Sequence, residues 1–278
     1  MVAQAPAALG SDCDIDEIAF ESDPRFAPQI AAVKDKFTVK DSPTFEELYR
    51  AIINRPYSDG DSIWTTMKNP YGMAPTLRFP FSNLSPQDVE LVLDVFGGKP
   101  KMMVEAGSFH GNSALTQLKV LESKGWKDVP FLCIDPWTGD LGMLLYRDDW
   151  EKKLTPGELV DGRSTSYWQF MLNIQSAIQK GEISPTHVVP MVATSLVGGR
   201  YLLALGIKVD LIYLDSAHER DETYLEMRIF WQTLSPGGVL FGDDYAWPQV
   251  KHDVDKFAER FKVKLNLHGG TWHMQKPR

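Results

Sequence analysis

The sequence predicts an α/β protein built on a doubly wound, Rossmann-like sheet of seven strands, preceded by a helical and irregular extension. Three observations carry that expectation. From Lys99 onward, short apolar runs alternate with helical patterns, as parallel strands joined by crossover helices require. The first run turns into a helix through V-E-A-G-S-F-H-G-N-S, residues 104–113, a strand–glycine turn–helix junction where ligands sit in such sheets. The last two runs flank His268-Gly269-Gly270, which reads as a hairpin.

Composition bounds the function. Apolar residues are 43% of the 278 and charged residues 24%, enough for a real core in one large domain or one domain with an extension. The net charge of −8 argues against a nucleic-acid partner, because phosphate contacts need clustered Lys and Arg. It suits a carboxylate metal site. Cys13 falls in a polar tail and Cys133 in a predicted buried strand. No disulfide framework is expected, and a reducing, cytoplasmic setting is. Residues 1–20 lack a basic segment followed by an apolar run, so no secretory signal is expected. No run approaches the ~18–20 apolar residues that span a bilayer, so no membrane partner is expected. A homo-oligomer is left open.

In chain order, residues 1–25 read as an acidic lead-in. Residues 26–33 and 44–53 carry helical periodicity, and Ser42-Pro43-Thr44 followed by Glu46 and Glu47 marks a helix start. Residues 54–83 hold four prolines among aromatics. Such a segment reads either as a lid over the site or as a loop packed on the helices. Ser85 and Pro86 open a further helix, which Gly97-Gly98 ends. Residues 1–98 are therefore read as an extension and 99–278 as the sheet domain. The strand runs are 102–105, 131–135, 187–191, 209–215 and 239–243. They are apolar without strict alternation, as a sheet covered on both faces demands. Residues 138–170 break the alternation and read as a partly helical insertion at the ligand edge. A helix over 250–261 and strands 263–267 and 271–274 complete the chain.

The chemistry-bearing residues fall at strand ends. Gly107 lets the chain turn sharply, and Gly111 lets backbone approach a ligand where a Cβ would obstruct. Asn112 and Ser113 stand at the helix start, where side-chain oxygens and free N–H groups bind polar atoms. His110 reads as a contact around a nucleotide-like cofactor. Asp135 ends the second strand, where a carboxylate can hold two ribose hydroxyls; it can equally open the turn Asp-Pro-Trp-Thr-Gly. Asp215, Asp243 and Asp244 end two neighbouring strands. Three converging carboxylates repel one another, and a hard divalent cation, Mg²⁺ or Mn²⁺, resolves that repulsion. Capping of helices explains any one of them but not all three. His218, three residues past Asp215, is placed to act as a general base in its neutral form.

Together these residues resemble the metal-dependent class I S-adenosylmethionine O-methyltransferases, and more narrowly the methyltransferase 24 family. That family includes macrolide-sugar O-methyltransferases and is related in layout to catechol O-methyltransferases. The motifs that carry the resemblance are V-E-A-G-S-F-H-G-N-S, I-D-P-W-T-G-D, L-D-S-A-H and L-S-P-G-G-V-L-F-G-D-D-Y, within residues 99–275. The resemblance implies that Glu105, Gly107, Ser108, His110 and Ser113 surround the methionine part and ribose of S-adenosylmethionine. It implies that Asp135 holds the ribose and that Thr194 and Ser195 lie near the adenine. It further implies Asp215, Asp243 and Asp244 as Mg²⁺ ligands and His218, or else Asp215, as proton acceptor. No lysine matches the base of the catechol enzymes. The expected reaction is methyl transfer to a hydroxyl of a small diol, sugar or phenol, with Trp137 and Trp247 either shaping the acceptor pocket or packing the core. The alternatives are a hydroxylase-like or nicotinamide enzyme on the same fold, or a non-catalytic cofactor-binding protein. The missing G-x-G-x-x-G and the hairpin count against a dehydrogenase, and the intact carboxylate set against a non-catalytic role.

Overall fold

The structure is a computed structural model that describes residues 27–37, 40–76, 84–139 and 159–278. The acidic lead-in, Cys13, residues 77–83 of the aromatic segment and residues 140–158 of the insertion lie outside the described residues. Among those described, no helix is long and apolar enough to cross a membrane.

The extension contributes α1 (Ala27–Phe37), α2 (Phe45–Ile53), the single turn α3 (Ile63–Thr66) and α4 (Pro86–Phe96). Helix α2 starts as its sequence requires. The Thr44 hydroxyl accepts from the Glu47 amide at 3.3 Å while the Glu47 carboxylate accepts from the Thr44 amide at 2.9 Å, a reciprocal capping box. Helix α4 opens on the Ser85 cap with Pro86 behind it and closes on Gly97 at φ +87°, the left-handed position that glycine occupies without strain.

The sheet strands are β1 (Met103–Ala106), β2 (Phe131–Asp135), β5 (Val188–Val192), β6 (Val209–Leu214), β7 (Leu234–Gly242), β8 (Asn266–His268) and β9 (Thr271–Gln275). A separate pair, β3 (Leu159–Val160) and β4 (Arg163–Ser164), falls within the stretch read as insertion. The seven-stranded order is β5-β2-β1-β6-β7-β9-β8. Strands β5, β2, β1, β6 and β7 run parallel, and β9 pairs antiparallel with both β7 and β8. The connecting helices are α5 (Asn112–Ser123), α6 (Ser166–Gln179), α7 (Ser195–Leu205), α8 (Glu222–Thr233) and α9 (Pro248–Phe261). Every residue of β1 and β6 is buried, which is why their sequences show no alternation. Val104, Ala106 and Ile212 pack on one face with Leu48 and Tyr49 of α2, while Met103, Phe131 and Tyr213 pack on the other with Val89 and Leu93 of α4. The extension thus shares both layers of the core. Helix α6 begins at Ser166, inside the stretch read as insertion, and β7 begins at Leu234, ahead of the expected Val239. Gly238 permits the longer strand, because a Cβ there would stand 2.9 Å from the Asp210 carbonyl oxygen of β6.

Asp88 joins the extension to the terminal hairpin. Its carboxylate accepts from the Ser85 amide at 2.9 Å and from the Thr271 hydroxyl at 3.3 Å, and it bonds to His268 Nδ1. Burial pushes this carboxyl up, but the bonds from Ser85 and His268 outweigh it and hold it below the usual range. A depressed carboxyl stabilises the fold above its unfolded pKa, about 3.9, and loses that contribution as pH falls through the lower folded value. Asp88→Asn is therefore expected to lower stability at pH 7 by about 2 kcal/mol, with the deficit shrinking at pH 3. Urea midpoints at the two pH values check this; an equal deficit at both would contradict it.

The chain adds β1, β2 and β5 outward on one side and then returns to place β6 on the other side of β1. The crossovers diverge above the carboxyl ends of β1 and β6, the place where open α/β sheets bind ligands.

Candidate active site

The glycine loop is fixed by backbone contact. Gly107 sits at φ +89°, and a Cβ on it would lie 1.9 Å from the Asp215 carbonyl oxygen and 2.7 Å from Ser216 Cα. Only glycine lets the loops after β1 and β6 touch. Gly111, also at φ +89°, has a reason in packing besides the ligand approach expected of it. A Cβ there would meet the Phe170 ring at 3.2 Å, so its bareness serves the packing of α6. Glu105 is buried on β1, and Gln117 donates to its Oε2 at 2.6 Å. Burial raises its carboxyl to about 8, the Ser108 hydroxyl pulls it down, and the charge of Asp215 pushes it up. Ser108 and Ser113 are buried beside it. The His110 ring stacks on Phe109 at 3.8 Å and lies 3.3 Å from the Ser166 hydroxyl, while its carbonyl accepts from Asn173 Nδ2 at 2.9 Å. The side chain is thus turned toward α6. The Asn112 side-chain oxygen is buried with no hydrogen-bond donor among the described residues, an acceptor left for a ligand at this turn.

Asp135 opens the turn after β2. Its Oδ2 accepts from the Phe109 amide at 2.8 Å, and its Oδ1 from the Trp137 amide at 2.5 Å. The carboxylate therefore opens its own turn and braces the glycine loop. Each oxygen retains a lone pair that a hydroxyl can use. Burial raises this carboxyl and the backbone amides lower it. Trp137 is buried, donates from Nε1 to the Phe109 carbonyl at 2.6 Å, and packs on Tyr167 and Phe170; the core reading holds for it. Beyond β5, Thr194 caps α7 by accepting from the Val197 amide at 3.3 Å. The Ser195 hydroxyl is engaged by Glu226 of α8.

The carboxylates gather one or two residues past the strand ends. Asp244 adopts φ +55°, so its side chain folds back toward Asp215. His218 Nε2 lies 3.0 Å from Asp244 Oδ2 and 3.7 Å from Asp215 Oδ1. One ligand atom from each of Asp215, His218 and Asp244 lies within 4.8 Å of the others. Asp243 stands outside this trio. Its Oδ1 accepts from the Asp244 amide at 2.6 Å and its Oδ2 from the Tyr213 hydroxyl at 3.3 Å. Of the expected Asp215, Asp243 and Asp244 set, Asp215 and Asp244 approach each other together with His218. Asp243 still lines the same cavity, which holds about 10 Å³, room for one water-sized body. Burial pushes the Asp215 carboxyl up, and the bond to His218 draws it down. Burial alone would lower the His218 pKa, but the bonds to Asp215 and Asp244 raise it to about 10. With these partners alone the protonated ring is favoured. Two carboxylates in contact are the reason. Burial and the surrounding carboxylates hold the Tyr213 phenol well above its usual value, so it stays a donor.

Two residues were not legible in the sequence. Glu226 lies in the interior of α8 among helical periodicity, where an acidic residue reads as a solvated face. Tyr213 reads as one more buried strand aromatic, and only the register of β6 against β7 brings its hydroxyl to the carboxylates. Trp247 is 49% exposed, with its ring centroid 5.1 Å from that of His218, which leaves an aromatic face at the mouth of the cleft.

The strand order, the antiparallel β9 and the glycine turn after β1 define the class I S-adenosylmethionine-dependent methyltransferase fold. Residues 104–245, just over half of the chain, match the methyltransferase 24 family, described as a methyltransferase domain. The chain belongs to that family. No curated protein sequence matches it. Among solved structures it is similar to the apo structure of CalS11, a TDP-rhamnose 3'-O-methyltransferase of calicheamicin biosynthesis. That likeness is at 13% identity over 94% of this chain and 98% of that one, with a TM-score of 0.49. The O-methyltransferase NovP is similar at 16% identity over 69% and 78% of the two chains, TM-score 0.45. An O-methyltransferase from Bacillus cereus in complex with SAH is similar at 10% identity over 95% and 94%, TM-score 0.41. At these distances none identifies a substrate.

Proposed function

We propose that the protein transfers the methyl group of S-adenosylmethionine to a hydroxyl of a small molecule carrying two neighbouring oxygens, assisted by a divalent cation. One observation carries this reading: the convergence of Asp215, His218 and Asp244 within 4.8 Å directly beneath the glycine loop of a methyltransferase. Two converging carboxylates offer the oxygen ligands that suit Mg²⁺ or Mn²⁺, with the His218 ring beside them, and the cavity of about 10 Å³ suits one ion. Asp215 and Asp244 would hold the ion, with Asp243 behind them. A cation there would lower the pKa of the acceptor hydroxyl.

The chain's own residues supply the rest. The glycine loop and Asp135 orient the donor, with Glu105, Ser108, His110 and Ser113 around the methionine part and ribose and Thr194 and Ser195 toward the adenine. The electron pair of the hydroxyl oxygen forms the new bond to the methyl carbon, and the old carbon–sulfur pair stays on sulfur. The hydroxyl proton goes to His218 or Asp215. His218 can take it only when Asp215 and Asp244 are engaged elsewhere, because otherwise they keep the ring protonated. Trp247 offers its exposed face to the ring of a sugar or phenol.

A panel of catechols, sugars and polyketide glycosides, each beside its single-hydroxyl analogue, tests this reading. Diols are expected to react at least about 100-fold faster, since only they are held at two points. Equal rates for the single-hydroxyl analogues would overturn it.

A further inference from the structure

We propose that Glu226 is a further residue of the cation cavity, its Oε2 serving as the acceptor that α8 presents to a cation or cation-bound water between Asp215, His218 and Asp244. This rests on the metal-assisted reading above and names a residue that no motif assigns.

Glu226 is 3% exposed. Its two oxygens have different surroundings. Oε1 accepts from the Ser216 hydroxyl at 2.7 Å and from the Ser195 hydroxyl. Oε2 is buried with no hydrogen-bond partner among the described residues. The same residue lines the cavity of about 10 Å³ bounded by Asp215, His218, Asp243 and Asp244. A buried acceptor with no donor is costly to the fold, and a cavity of one-water size beside it is where the missing partner fits. The second cluster on the same side of the sheet makes a useful contrast. Asp221, His252 and Asp253 also approach one another, yet Lys256 lies 3.2 Å from Asp221 and Arg220 lies 3.0 Å from His252. Those cations already balance it. In the cavity beside Glu226, the His218 ring lies 3.0 Å from Asp244 and 3.7 Å from Asp215.

A purely architectural role would have Glu226 do no more than tie the loops after β5 and β6 through its two serines. Glu226→Gln separates the two roles. The amide oxygen can still accept both hydroxyls, but an NH₂ donor replaces Oε2 and faces a cation with the wrong polarity. Mn²⁺ binding to the full-length chain, followed by electron paramagnetic resonance of the free ion, is the readout. The variant is expected to bind Mn²⁺ about 10–100-fold more weakly with an unchanged melting temperature in the absence of metal. Ser216→Ala, which cuts the tie to the β6 loop but leaves Oε2 in place, is expected to keep near-wild-type Mn²⁺ affinity. Should E226Q fail to fold, Glu226→Asp takes its place, since it keeps the charge but withdraws the oxygen, and the same weakening is expected. Wild-type affinity in E226Q, or in E226D where that is the variant read, overturns the assignment of Glu226 alone. Absence of Mn²⁺ binding in the wild-type chain overturns the metal reading and this inference with it.

Discussion

Asp244→Ala is expected to reduce methyl transfer by about 10²–10³-fold, the usual consequence of removing one preorganised electrostatic partner from a reacting centre. Asp244 contacts His218 at 3.0 Å and stands near Asp215 on a left-handed backbone at φ +55°. Its removal takes a carboxylate from the cation set and the nearer charge from the imidazole. The fold should tolerate the change, since the Asp244 side chain is partly exposed at a loop and Asp243, not Asp244, takes the Tyr213 hydroxyl. Asp243→Ala is expected to differ in kind. It empties a site that is 4% exposed and leaves the Tyr213 hydroxyl only its longer bond to Asp215 at 3.5 Å, so both stability and activity should fall. Comparing turnover with urea midpoints for the two single variants checks the distinction. Equal loss of stability in both would remove the division of labour between the neighbours.

Gly107→Ala is expected to destabilise the protein by about 4 kcal/mol or more, the range reserved for changes that strain special backbone or overpack a core. Two costs combine. The residue sits at φ +89°, where an L side chain is strained, and the added Cβ would stand 1.9 Å from the Asp215 carbonyl oxygen. No side chain can yield, because the obstacle is backbone. Relief requires β1 and β6 to part at the edge that holds the donor and the carboxylates, so whatever folds should also bind S-adenosylmethionine poorly. Gly60→Ala is the control, because nothing lies within 4 Å of a Cβ at Gly60. Chemical denaturation of the two variants measures the difference. A Gly107→Ala midpoint equal to that of the control would mean that the contact between the two loops does not matter.

The sheet was largely legible because a parallel sheet buried on both faces leaves continuous apolar runs. β1, β2, β5 and β6 lie within about a residue of where those runs place them, and the turn at Gly269-Gly270 reverses the chain as its composition demands. The longer β7 escaped notice because Ser235-Pro236-Gly237 reads as a turn, and only the closeness of Gly238 to the Asp210 carbonyl shows why it can be a strand. In the site, strand ends fix which residues meet but not how their side chains divide the bonds. Asp215, Asp243, Asp244 and His218 are readable as neighbours from sequence. That His218 joins the trio while Asp243 turns to Tyr213 depends on one left-handed residue and one buried hydroxyl, neither of which leaves a mark in the chain. Gly111 shows the same limit, since a bare backbone can serve a ligand or a neighbouring helix and the sequence does not distinguish them.

The most direct measurement is transfer of labelled methyl from S-adenosylmethionine to a diol acceptor by the full-length chain, with Mg²⁺, after chelation, and after Mg²⁺ is restored. The label should appear on the acceptor oxygen with Mg²⁺, fall to background on chelation and return when the ion returns. Transfer that continues undiminished in the chelated enzyme would contradict a cation held by Asp215 and Asp244 beside His218.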